Sequence, residues 1–148
     1  MTDRTITLKQ TINADIETTF NAWVTPEILK TWYAPVEDWV VGSAEVTPGV
    51  GGHYRITFGP PPAGDAYTEE GTYTVFEPVH RLAWTGTVTD GTDDSLEISV
   101  AFESHGERTT VTVTETGLST DEAVEEHTEG WVATLAQLSS TLDASAVR

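Results

Sequence analysis

The end of the chain carries a helical stripe. Val124, His127, Trp131, Leu135, Leu138 and Leu142 recur at helical spacing, while Glu122, Glu125, Glu126 and Glu129 mostly lie off that line. Ser119 followed three residues later by Glu122 reads as a capping box, so the spacing predicts one amphipathic helix over 119–142. Such a helix runs for roughly six turns, and its apolar face needs a broad surface to lie on. The segments before it supply one.

Those segments alternate with period two. Residues 4–12 place Ile6, Leu8 and Ile12 on one face of a first strand. Asn13 or Asp15 can cap a short helix carrying Ile16, Phe20 and Trp23, and Thr25-Pro26-Glu27 starts a second one that stops near Trp32 and Tyr33, before Pro35. Strands follow at 40–47, 53–58, 67–77, 80–89, 95–103 and 108–115. Leu96, Ile98, Val100 and Phe102 alternate strictly with polar or small residues, so one face of that strand meets a core. The connections at 48–52, 78–79, 90–94 and 105–107 are short, which predicts sequential antiparallel pairing. Three consecutive prolines, 60–62, make the 59–65 loop stiff and exclude it from a ladder. The element order is β-αα-β6-α, an α+β arrangement in which a curved antiparallel sheet wraps a long C-terminal helix. No repeat, linker or second domain interrupts it, so residues 1–148 read as a single domain.

Composition changes this picture in one respect. Against 24 Asp and Glu stand 7 Lys and Arg, giving a formal net charge of −17. Self-repulsion of that size works against a compact state in dilute buffer and is a device of salt-adapted proteins. A halophilic, acidic surface is the reading, with an ordinary acidic protein as the alternative. Nucleic acid and anionic membrane are excluded as partners, because both need a basic footprint. No apolar run reaches a membrane span and no basic-then-apolar leader is present, so the expected location is cytoplasmic. With no cysteine, the sequence offers no disulfide, thiolate nucleophile or Cys-based metal site.

Several short motifs then carry a resemblance. Ile12-Asn13-Ala14, Phe20-x-Ala22-Trp23 and Trp32-Tyr33-Ala34-Pro35 come first, followed by Pro48-Gly49-x-Gly51-Gly52-His53-Tyr54 and Gly71-x-Tyr73. After them stand Arg81-Leu82-x-Trp84-Thr85, Val111-Thr112-Val113-Thr114-Glu115 and Gly130-Trp131-x-x-x-Leu135-x-x-Leu138. In this order the set resembles the START-like (SRPBCC) superfamily, and more narrowly homologues of the activator of heat-shock-protein-90 ATPase. The resemblance implies a helix-grip (START-like / Bet v-like) fold enclosing an apolar cavity, used in the superfamily for small apolar molecules and occasionally for chemistry. It also raises a chaperone partner. The eukaryotic activator carries a further N-terminal domain that this chain has no room for, which weighs against that partner. Position 33 is Tyr where many relatives have Trp, and the triple-proline loop is placed as a lip over the cavity.

Candidate chemistry is sparse. The chain has no H-E-x-x-H, no G-x-S-x-G and no phosphate-loop Lys-Ser/Thr. The 49–52 glycines lead into a strand rather than a helix, so they read as a tight turn and not as a phosphate cradle. His53, His80, His105 and His127 show no metal-ligand spacing, and no cofactor is implied. His53 points away from the inward set Tyr54, Ile56 and Phe58, while His80 and His105 sit at turns. His127 shares the helix stripe with Trp131; it either orients a cavity ligand, or is a core histidine satisfied by a neighbouring strand, or lies at the exposed edge. Trp32, Tyr33, Tyr54, Tyr73, Trp84, His127 and Trp131 are the candidate cavity lining, with plain core packing as the alternative for each. Arg55 and Arg81 read as surface cations. Glu69 and Glu115 are candidates to face inward, but no spacing forces two carboxylates together, so glycosidase-like acid/base work is not supported. A binding module for an apolar or aromatic small molecule is the leading expectation. The others are a cyclase- or aromatase-like enzyme in the same cavity and a co-chaperone acting through its surface.

Overall fold

A computed structural model describes residues 4–36, 38–88 and 95–143. The chain runs β1 (Arg4–Ile12), α1 (Ile16–Val24), α2 (Pro26–Trp32), β2 (Val40–Val46), β3 (His53–Gly59), β4 (Tyr67–Glu77) and β5 (Arg81–Val88). It continues with β6 (Leu96–His105), β7 (Arg108–Leu118) and α3 (Asp121–Leu142). The strands form one antiparallel sheet in the order β1-β7-β6-β5-β4-β3-β2. β2 to β7 pair sequentially, as their short connections dictate, and β1 closes against β7 in a register running from Arg4↔Leu118 to Ile12↔Thr109. With α3 across it, this is the expected α+β helix-grip arrangement, β-αα-β6-α.

Local chemistry explains most element ends. Asp15 caps α1 by accepting from the Thr18 amide at 2.8 Å, and Thr25 precedes Pro26 at the start of α2. Gly49 and Gly51 take φ of +107° and +84° in the turn before β3, where only glycine is free of a Cβ penalty. The connection expected at 90–94 lies outside the described residues.

Two expectations need correction. α3 begins at Asp121 and its cap is Thr120, whose hydroxyl accepts from the Ala123 amide at 3.0 Å. With Thr120 as the cap, the N3 position is Ala123 and not Glu122, so the start of the helix lies one residue later than the Ser119–Glu122 box places it. The triple-proline loop is not a lip: Gly64 accepts from the Gly42 amide at 3.0 Å, tying the loop to the edge strand β2, and residues 59–65 line no part of the large pocket described below.

The core lies between the inner face of the sheet and the helices. Val111 and Val113 on β7 and Leu96, Ile98 and Val100 on β6 are buried, as are Leu135 and Leu138 from the helix stripe. Each fully buried aliphatic side chain contributes roughly 1.5–3 kcal/mol over its exposed state. On α3 the four expected outward glutamates are all exposed. No described helix is long and apolar enough to cross a membrane.

Candidate functional site

α3 does not seal the sheet along its whole length. Near its first half a pocket of about 390 Å³ opens beside β3, β4 and β7 and the segment after α2. That segment is held to α3 by the Ala34 carbonyl, which accepts from Thr134 Oγ1 at 3.1 Å and from Gln137 Nε2 at 2.7 Å. Gly130 allows the close pass: a Cβ there would sit 3.2 Å from Pro35 Cβ. The result fixes Tyr33, Pro35 and Val36 as one side of the pocket.

Aromatic rings make its walls. Trp39, Phe58 and Tyr67 stack on one another, with Trp39 and Tyr67 at 5.2 Å between ring centres and 17° apart. Tyr33 meets Trp131 edge-on at 6.0 Å on the other side. Exposed Val36, Glu126 and Glu129 stand at the rim.

Two buried carboxylates meet the same space. Glu69 on β4 is 7% exposed and Glu115 on β7 is 2% exposed. The pairs are built alike, each carboxylate held by two donors. Glu69 accepts from Tyr54 Oη at 2.8 Å and Tyr33 Oη at 3.0 Å; Glu115 accepts from Trp131 Nε1 at 3.1 Å and pairs with His127 Nδ1 at 3.0 Å. When Glu115 is ionised it can only accept, and the proton of the pair then sits on His127 Nδ1. Burial pushes the Glu69 carboxyl up to about 7; the Tyr54 and Tyr33 hydroxyls pull it down, Glu115 pushes it up and His127 pulls it down. Burial and then the Glu69 charge push the Tyr33 and Tyr54 phenols well above their ordinary value. The pocket thus holds a carboxyl that changes charge near neutrality beside a carboxylate–histidine pair. No group of three or more potential metal ligands lies among the described residues.

The expected lining residues divide. Tyr33, His127 and Trp131 border the pocket. Tyr54, Tyr73 and Trp84 surround, with Tyr33, a separate void of about 10 Å³ that their own rings nearly fill. Trp32 borders neither space; it packs edge-on against Trp23 and donates to the Ala22 carbonyl at 3.1 Å. His127 turns out to be both a pocket residue and one satisfied by a neighbouring strand. Trp39, Tyr67, Glu69 and Glu115 were not expected as lining. For the two carboxylates a signal was present, since Glu115 continues the inward phase of Val111 and Val113, and Glu69 shares the phase of Tyr73. What the spacing lacks is any sign that the two converge: β7 and β4 are three places apart in the sheet, about 14 Å if flat, and curvature closes that gap.

The architecture recurs in solved structures. The AHSA1-like protein from Aeromonas hydrophila aligns with a TM-score of 0.82 at 23% identity, over 98% of this chain and 96% of that one. Protein CV1439 from Chromobacterium violaceum gives 0.79 at 22%, over 95% and 98%. CalU16 from Micromonospora echinospora gives 0.71 at 18%, over 99% and 80%. Identities this low establish a common fold alone. No curated protein matches the sequence. The profile of one family, Activator of Hsp90 ATPase homolog 1-like protein, matches residues 13–143, which spans both helices of the opening, the strands from β2 onward and all of α3. On that match the chain belongs to the Activator of Hsp90 ATPase homolog 1-like family.

Proposed function

We propose that the protein binds an apolar or aromatic small molecule in the pocket between the sheet and α3. One observation carries this reading: about 390 Å³ of space walled by Tyr33, Trp39, Phe58, Tyr67 and Trp131, with two polar anchor points, Glu69 and Glu115, at its buried end. That size and that mix of aromatic wall and few fixed polar groups suit a small ligand. Native mass spectrometry of protein purified from its own or a related host, followed by denaturation, tests it. A stoichiometric small molecule released from the wild type, and lost in Trp39→Ala, is the expected result. Empty protein whose melting point no apolar or aromatic compound raises would remove the reading.

The convergence of Glu69 with the Glu115–His127 pair favours a second reading, an acid–base enzyme of the cyclase kind. A carboxyl near pH 7 can both donate and accept a proton, and a neighbouring carboxylate-held imidazole can do the reverse. Deuterium entering the bound ligand from D2O in the wild type, and not in Glu69→Gln, is the expected signature. Absence of any exchange would leave a binding protein only. A co-chaperone acting through its surface draws less support. Among the described residues the exposed large hydrophobics are four valines, at 36, 40, 50 and 132, and single exposed valines need no partner.

A further inference from the structure

The charge of the pocket is one-sided. Four glutamates border it, Glu69, Glu115, Glu126 and Glu129, and the one basic side chain among its described lining residues, His127, is already paired with Glu115. The aromatic walls act in the same direction, because a ring face is the negative part of its quadrupole. A carboxylate ligand would lie against these groups, and a neutral polar one would leave two buried carboxylates repelling each other. A cation placed between them would relieve that repulsion, and Trp39, Tyr67 and Trp131 offer it the aromatic contacts that ammonium groups favour.

We propose that the pocket selects a cationic amine: a protonated or quaternary ammonium group seated toward Glu69 and Glu115, with its apolar body against the rings of Trp39, Phe58 and Tyr67. This rests on the reading of the pocket as a ligand site and narrows the ligand class. Selection operates at short range, in a partly dry site, and so differs from the diffuse attraction that a net charge of −17 exerts on any cation. Glu69 strengthens it as pH rises, since a carboxyl that titrates near 7 is mostly ionised at pH 8.

Three compounds with one apolar body test it: 3-phenylpropylamine, 3-phenylpropanol and 3-phenylpropanoate, titrated calorimetrically at pH 8 and one fixed ionic strength. The amine is expected to bind at least about tenfold more tightly than the alcohol, and the carboxylate not measurably. That preference should shrink in Glu115→Gln, and also in Glu129→Gln, whose exposed position leaves folding untouched. It should persist in Glu122→Gln/Glu125→Gln, which removes two charges from α3 outside the pocket, one more than either pocket variant. Equal binding of amine and alcohol, or binding of the carboxylate, would overturn the amine preference and leave the pocket reading standing. An amine preference lost in the Glu122/Glu125 variant and kept in the pocket variants would overturn it as surface adsorption. Binding of none of the three would overturn the amine preference, while the pocket reading falls only if the native protein is also empty and no apolar or aromatic compound raises its melting point.

Discussion

The Tyr33 hydroxyl donates to Glu69 Oε2 at 3.0 Å, joining the residue that ends α2 to the inner face of β4 across 36 positions of the chain. The bond places a phenol from the wall of the pocket on a carboxyl that burial holds near neutrality. Its consequences are measurable.

Glu69 should make stability fall as pH rises through its window. Its folded pKa, about 7, lies above the ordinary 4.5, so the folded state holds more protons between those values. Its contribution is therefore fully favourable below about 4.5 and is lost as pH climbs through 7. A shift of that size is worth on the order of 3 kcal/mol. Glu69→Gln removes the titration while Tyr33, Tyr54, Tyr73, Glu115 and His127 still face the site. Melting curves from pH 4.5 to 8 at constant salt should show the variant gaining steadily on the wild type; a constant difference would rule the shift out.

Tyr54→Phe should cost more at high pH than at low. The lost hydroxyl, 2.8 Å from Glu69, supports the charged form. Urea denaturation is expected to show a loss of about 1.5–3 kcal/mol at pH 8, where the bond is to a carboxylate, and about 0.5–1.5 at pH 5. Equal losses would mean that the ring alone matters.

Gly71→Ala should be far more damaging than Gly106→Ala. Gly71 pairs with Gly86 across β4 and β5, and a Cβ on it would run into the Thr85 carbonyl and sit 2.8 Å from the Gly86 Cα. The backbones must part, at a cost of at least about 2 kcal/mol. At Gly106 nothing lies within 4 Å and only a φ of +78° opposes the change, roughly 1 kcal/mol. Comparable midpoints in urea for the two variants would contradict the close passage.

Salt should stabilise the protein. With a net charge of −17, screening weakens self-repulsion in the folded state more than in the expanded one. The melting point is expected to rise by several degrees from low to molar KCl. A flat or falling midpoint would remove the expectation of a salt-adapted surface.

The elements were largely legible in the sequence because each rests on local rules. Alternation placed β1 at 4–12 and β4 at 67–77, where the structure has them, and the stripe from Val124 to Leu142 named the buried side of α3. The ends were less so. The strand expected over 108–115 runs on to Leu118, which pairs with Arg4, and the helix cap is Thr120 and not Ser119.

The site was legible one residue at a time. Tyr33, His127 and Trp131 were candidate lining residues on the same footing as Tyr54, Tyr73 and Trp84, which end in packed core. Phase tells which side of a strand a residue occupies and nothing about where α3 lifts from the sheet. Trp39 and Tyr67 escaped notice because neither stands out by periodicity; they matter because they stack with Phe58 at the open end.

By itself the sequence determined the order of elements, the alternation of most strand faces and the net charge of −17, since propensity, periodicity and composition need no long-range contact. Only the tertiary structure decided that Glu69 and Glu115, 46 positions and three strands apart, share one pocket. Sheet curvature and the docking of α3 on Ala34 set that distance, and both are sums over contacts from the whole chain. The buried charge at the centre of the candidate site is a product of that convergence.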